Sequence, residues 1–68
     1  MKAKITYSYP RVIVRKNGAP LIREVKVGEI VDALVINNNT EIWFSDFCRV
    51  IIFGDAFKDK GPVQLEAL

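Results

Sequence analysis

Apolar and polar residues alternate from the start of the chain. Ala3, Ile5, Tyr7 and Tyr9 fall on one side, and Lys2, Lys4, Thr6 and Ser8 on the other. A period of two predicts a half-buried strand over residues 2–9, ended by Pro10, which has no N–H for a ladder. Residues 11–16 predict a second strand centred on Val12-Ile13-Val14. Asn17-Gly18 follows, and both residue types tolerate the positive φ that a tight type I′ hairpin turn requires. Pro20 places the start of the returning strand near Leu21, with Val25 and Val27 inward.

Gly28 marks a turn, and the run EIVDALVI over residues 29–36 follows it. This run also satisfies helical spacing. Its eight-residue length, its β-branched content and the flanking Gly and Asn residues favour a strand. Ala33-Leu34-Val35-Ile36 is wholly apolar, which predicts burial on both faces or a bulge. Asn37-Asn38-Asn39-Thr40 predicts a hairpin loop of about four residues. In the strand after it, Glu41, Trp43 and Ser45 oppose Ile42, Phe44 and Asp46. In the next, Cys48, Val50 and Ile52 oppose Arg49, Ile51 and Phe53. Gly54-Asp55-Ala56-Phe57 fits one 3₁₀ turn, and residues 58–68 a polar loop with a short closing strand or a frayed tail.

These elements predict an all-β domain, a small antiparallel barrel or rolled sheet of five to six short strands. The chain of 68 residues holds one such domain and has no room for a second core. Half of its residues are apolar, which excludes a disordered chain.

From Val25 onward the order of features resembles that of SH3-like barrels. Val25-Lys26-Val27-Gly28-Glu29-Ile30-Val31 resembles the strand entered through a Gly-acid pair. The Asn-rich hairpin with Glu41-Ile42-Trp43-Phe44 is similar to the next strand, and Cys48–Phe53 with Gly54–Phe57 to the fourth strand and its 3₁₀ turn. Val63–Leu65 would then close the barrel. Small proteins of phages and mobile elements are similar in outline, and that resemblance implies a regulator acting on a host protein. The Ala-Leu-Tyr-Asp-Tyr-like run of the peptide-binding type is matched only by Ile5–Tyr9, without its acid, and the basic Asn17-Gly18 hairpin stands where that type has an acidic loop. Its proline-reading groove does not carry over.

Composition narrows the chemistry. The chain has no His and one Cys, so the usual zinc sets are impossible within one chain, and no ligand set for another metal or cofactor stands out. General acid–base catalysis most often uses His. Ser8 and Ser45 have no base to activate them, and the four glycines form no phosphate loop. The expectation is a non-catalytic protein. Cys48, inside an apolar run, reads as a buried thiol. No apolar stretch reaches the ~20 residues of a membrane span, and residues 1–10 hold no apolar leader core, so the expected location is cytoplasmic.

The charge is uneven. Residues 1–28 carry seven bases and one acid, a net of +6; residues 29–68 carry three bases and seven acids, a net of −4. Two readings follow. In one, basic and acidic strands pair across the sheet and the working surface is apolar, which points to a protein partner or self-association. In the other, Arg11, Arg15, Lys16, Arg23 and Lys26 flank one hairpin and contact nucleic acid, with Tyr7, Tyr9 and Trp43 as stacking surfaces. The aromatic residues have a plainer alternative role as core.

Overall fold

The computed structural model describes residues 1–68. It contains seven strands and no helix: β1 (Lys2–Ser8), β2 (Arg11–Lys16), β3 (Ala19–Glu24), β4 (Ile30–Ile36), β5 (Asn39–Trp43), β6 (Arg49–Phe53) and β7 (Val63–Ala67). All pair antiparallel in one open sheet, ordered β3-β2-β6-β5-β4-β1-β7. The all-β expectation holds, with seven strands instead of five or six. The C-terminal tail is a strand because Val63 and Leu65 are buried against the core while residues 63–67 pair with β1.

A flat sheet of seven strands would be about 30 Å wide and would leave one apolar face open. This sheet curls instead. Ala3, Ile5, Val14, Val31, Ala33, Ile42, Ile52, Val63 and Leu65, from six different strands, meet in a single cluster with Val25, Phe44, Cys48 and Ala56 from the loops. The sheet does not close, and β3 and β7 remain its end strands.

Both hairpin turns follow from asparagine. Asn17 and Gly18 hold φ of 51° and 79°, and Asn37 and Asn38 hold 50° and 63°. Each pair is the two-residue connection of its hairpin, so the second loop is shorter than four residues, and Asn39 and Thr40 already belong to β5. In the first hairpin β3 begins at Ala19 and includes Pro20. A strand with one side open tolerates that missing N–H.

Three other expectations change. Tyr7 and Tyr9 do not share the buried face of Ala3 and Ile5. The pairing of β1 with β7 shifts between Ile5 and Tyr7, and that bulge turns the later residues outward. Val27 is exposed, because β3 ends at Glu24 and only Val25 turns into the core. Leu34, Val35 and Ile36 are not buried on both faces. No layer covers the outside of β4, and Leu34 and Ile36 point there. The expected 3₁₀ turn is a single turn in which Lys58 and Asp59 N–H both donate to the Asp55 carbonyl, with no 3₁₀ run.

Candidate functional site

The one fully buried polar side chain is structural. Thr40 Oγ1 donates to the Gly54 carbonyl at 2.8 Å and accepts the Ala56 N–H at 2.9 Å, tying β5 to the segment after β6. Cys48 is buried, and burial raises its thiol pKa, so it is an unreactive part of the core.

The largest depression, about 600 Å³, is lined only by Arg23, Glu24, Lys26, Glu29 and Asp46. Three of its charges, those of Arg23, Glu29 and Asp46, are spent on each other. Arg23 Nη2 pairs with Glu29, its Nε donates to Asp46 at 2.9 Å, and its guanidinium carbon lies 4.1 Å from the Phe44 ring centre. The Glu29 hydrogen bond is the chief cause that raises the Arg23 pKa. The Arg23 hydrogen bond is the chief cause that lowers Asp46 to about 2. This cluster fastens β3 to the body of the domain.

That assignment divides the basic residues singled out in the sequence. Arg23, with its side chain only 15% exposed, is held inside the fold. Arg11, Arg15, Lys16 and Lys26 are exposed, and of these only Lys26 lines the charged depression with Arg23. Arg11 faces Glu24 across the β2–β3 ladder, and the pairing of basic with acidic strands is seen at Lys2 and Asp32, 3.1 Å apart across β1 and β4. Tyr7 and Tyr9 stand edge to face, 6.4 Å between centres, on the exposed end of β1. Trp43 is exposed on the face opposite the core, far from a packing role.

On that outer face the register aligns three rows. One runs Asp32-Trp43-Arg49-Arg15-Pro20 across β4, β5, β6, β2 and β3. A second runs Leu34-Glu41-Ile51, and a third Ile36-Asn39-Phe53. Ile13 and Ile22 pair beside them on β2 and β3. Phe53 is 89% exposed and Ile13 71%, and Leu34, Ile36 and Ile51 are also open. Apolar side chains thus cover much of one face of the domain.

β2 and β6 are joined by a single registered pair, Arg15 with Arg49. Beyond it lies a cleft of about 240 Å³ lined in part by Ile13, Pro20 and Ile51. On the other side of the arginine pair is a hollow of about 410 Å³ lined by Arg15, Asn17, Gly18, Trp43, Phe47 and Arg49. Trp43 is held in place there, since its Nε1 donates to Glu41 Oε1 at 2.8 Å and Arg49 lies 5.1 Å from its ring centre. Arg49 and Phe47 were not singled out from sequence. The alternation of Arg49, Ile51 and Phe53 opposite Cys48, Val50 and Ile52 is the signal that could have marked that face.

No protein-family model, curated protein or solved structure matches the chain.

Proposed function

We propose that this protein is a non-catalytic protein-binding module whose contact surface is the outer face of its sheet. The observation that supports it is the registered apolar area of Ile13, Leu34, Ile36, Ile51 and Phe53. Apolar side chains gathered on one exposed face are characteristic of interaction sites, whereas singly exposed apolar residues are not, and here Glu41 and Asn39 of β5 stand between the apolar residues of β4 and β6. The reading includes an SH3-like plan. Without the β2–β3 hairpin the strand order is β7-β1-β4-β5-β6, a five-strand run with the last beside the first. The hairpin then fills the loop between the first and second strands of that plan.

Nucleic-acid binding through the hairpin is the weaker reading, because Arg23 is committed to Glu29 and Asp46 and apolar side chains interrupt the remaining bases. The test uses the wild-type protein and an Ile51→Ser/Phe53→Ser variant as bait in an extract of the native source, with sedimentation of each alone. A partner, or a second copy, held by the wild type and lost by the equally stable variant is the expected result. Identical behaviour of the two baits, both sedimenting as monomers, would overturn the reading. Salt-sensitive retention of nucleic acid by both baits would replace it with the alternative.

A further inference from the structure

Arg15 and Arg49 stand directly opposite each other on neighbouring strands. Like charges at such a pair oppose the sheet. Arg49 has a carboxylate within reach, with its Nη1 3.7 Å from Glu41 Oε1. Arg15 has none. It makes no ion pair, and its Nη1 bends back to the Gly18 carbonyl at 2.9 Å. Two guanidinium forks with one carboxylate between them leave the corner short of an anion.

Phe47 is the second oddity. Phe44 N–H donates to Cys48 O at 2.8 Å, and Phe47 N–H to Phe44 O at 3.1 Å, closing, within the connection from β5 to β6, the three-residue turn Ser45-Asp46-Phe47. Its last residue takes a positive φ, here 68°. Gly or Asn normally fills that position, because an L side chain is strained there. Phe47 fills it while 77% exposed, so its ring gains almost no burial in return. Local strain with no packing return is a feature of binding sites.

Resting on the protein-binding reading above, we propose that Arg15, Arg49, Trp43 and Phe47 form the anchoring pocket for an acidic side chain of an extended partner segment. The spacing gives the rest of the motif. Along β6, Ile51 is two residues beyond Arg49, and along β2 Ile13 is two before Arg15; Phe47, in the turn just before β6, lines with Trp43 the hollow on the other side of the arginines. Residues i and i+2 of an extended chain share one face about 6.7 Å apart. A partner strand with its carboxylate on the arginine pair therefore places one neighbour against Phe47 and Trp43. The other enters the cleft of Ile13, Pro20 and Ile51. The motif is aromatic-x-acid-x-apolar. The apolar cleft continuing from the arginines favours a protein segment over a nucleic-acid strand, whose phosphates would meet Ile13 and Ile51.

The test titrates the folded protein with the capped peptide Phe-Ser-Glu-Ser-Leu and with its Gln-centred analogue, following Trp43 fluorescence and the Arg15 and Arg49 Nε–H resonances. The expected result is saturable binding of the Glu peptide, at least about tenfold weaker for the Gln analogue. Arg15→Gln and Arg49→Gln each weaken it about tenfold with no loss of fold. Equal binding of the two peptides, no binding of either, or indifference to Arg15→Gln would overturn the proposal. So would a thymidine oligonucleotide that displaces the peptide from these resonances. The two readings separate cleanly. A natural partner lost on Ile51→Ser/Phe53→Ser but indifferent to Arg15→Gln and Arg49→Gln keeps the outer face as the binding surface and removes the acidic anchor.

Discussion

The guanidinium of Arg23 lies over the ring of Phe44, 4.1 Å from its centre, with Glu29 and Asp46 closing on it from the sides. β3 has no fully buried side chain, and Arg23 is its only residue that is not exposed. β3 therefore docks on the domain through one cation and the apolar stem beneath it, while β2 carries Val14 into the core.

Arg23→Ala should accordingly cost about 3 kcal/mol, the lower end of the range for breaking a buried pair and stranding its partner. Chemical denaturation measures it. Replacing Arg23, Glu29 and Asp46 together by apolar residues of similar size should recover much of that loss, because no unpaired charge remains. If the triple replacement is less stable than Arg23→Ala, the ion pairs are net stabilising and not merely mutually dependent.

Asp46 gives the cluster a pH signature. Its pKa is lowered to about 2 in the fold, against an ordinary value of 3.8, chiefly by the Arg23 hydrogen bond. A carboxyl with a depressed folded pKa adds stability that is complete above its unfolded pKa. That stability is lost as pH falls through the folded one. The window is therefore between about pH 4 and pH 2. The side chain is 42% exposed, so solvent screening limits the effect to about 1 kcal/mol. Denaturation of wild type and Asp46→Asn at pH 6 and pH 2 should show the gap between them closing as the pH falls. A constant gap would mean that Asp46 acts through shape and not through charge.

Much of the fold was legible in local chemistry. Asparagines marked the position of both hairpins, and two-residue alternation grouped Ile42 with Phe44 and Cys48 with Ile52 on common faces, which are the buried ones, though it did not say which face of each strand turns inward. What failed depended on partners distant in sequence. The bulge that turns Tyr7 outward exists only in the pairing of β1 with β7, more than 50 residues away. The outward exposure of Leu34 and Ile36 follows from a one-layer sheet, which a continuous apolar run cannot distinguish from a strand covered on both sides. The basic residues were visible, but their fates were not. Arg23 and Arg15 look alike in sequence, and only register gives one two carboxylates and the other an opposing arginine.

Thr40 tests how β5 is joined to the segment beyond β6. Thr40→Val keeps the shape but removes the acceptor of the Ala56 N–H and the donor to Gly54 O. An unsatisfied buried group costs about 1–3 kcal/mol. Thr40→Ser keeps both bonds and loses one buried methyl, at about 1 kcal/mol. Equilibrium denaturation should rank wild type above Ser and Ser above Val. The reverse order for the two variants would assign the role of Thr40 to packing.

Phe47→Gly separates stability from recognition. The phenyl side chain is strained at φ 68° and 77% exposed, so little packing is lost with it. Relief of the left-handed strain, about 1–2 kcal/mol, exceeds the added backbone entropy of glycine, about 0.5–1 kcal/mol. The variant should be about 0.5–1 kcal/mol more stable. If the ring is one wall of the anchoring pocket, the same variant should bind the Phe-Ser-Glu-Ser-Leu peptide at least about fivefold more weakly, the loss of one aromatic contact. Higher stability with weaker binding is the expected pair of results, read by denaturation and by Trp43 fluorescence titration. Lower stability would show that Phe47 packs in a way its exposure conceals. Unchanged binding would remove the ring from the pocket and leave the two arginines to hold the acid alone.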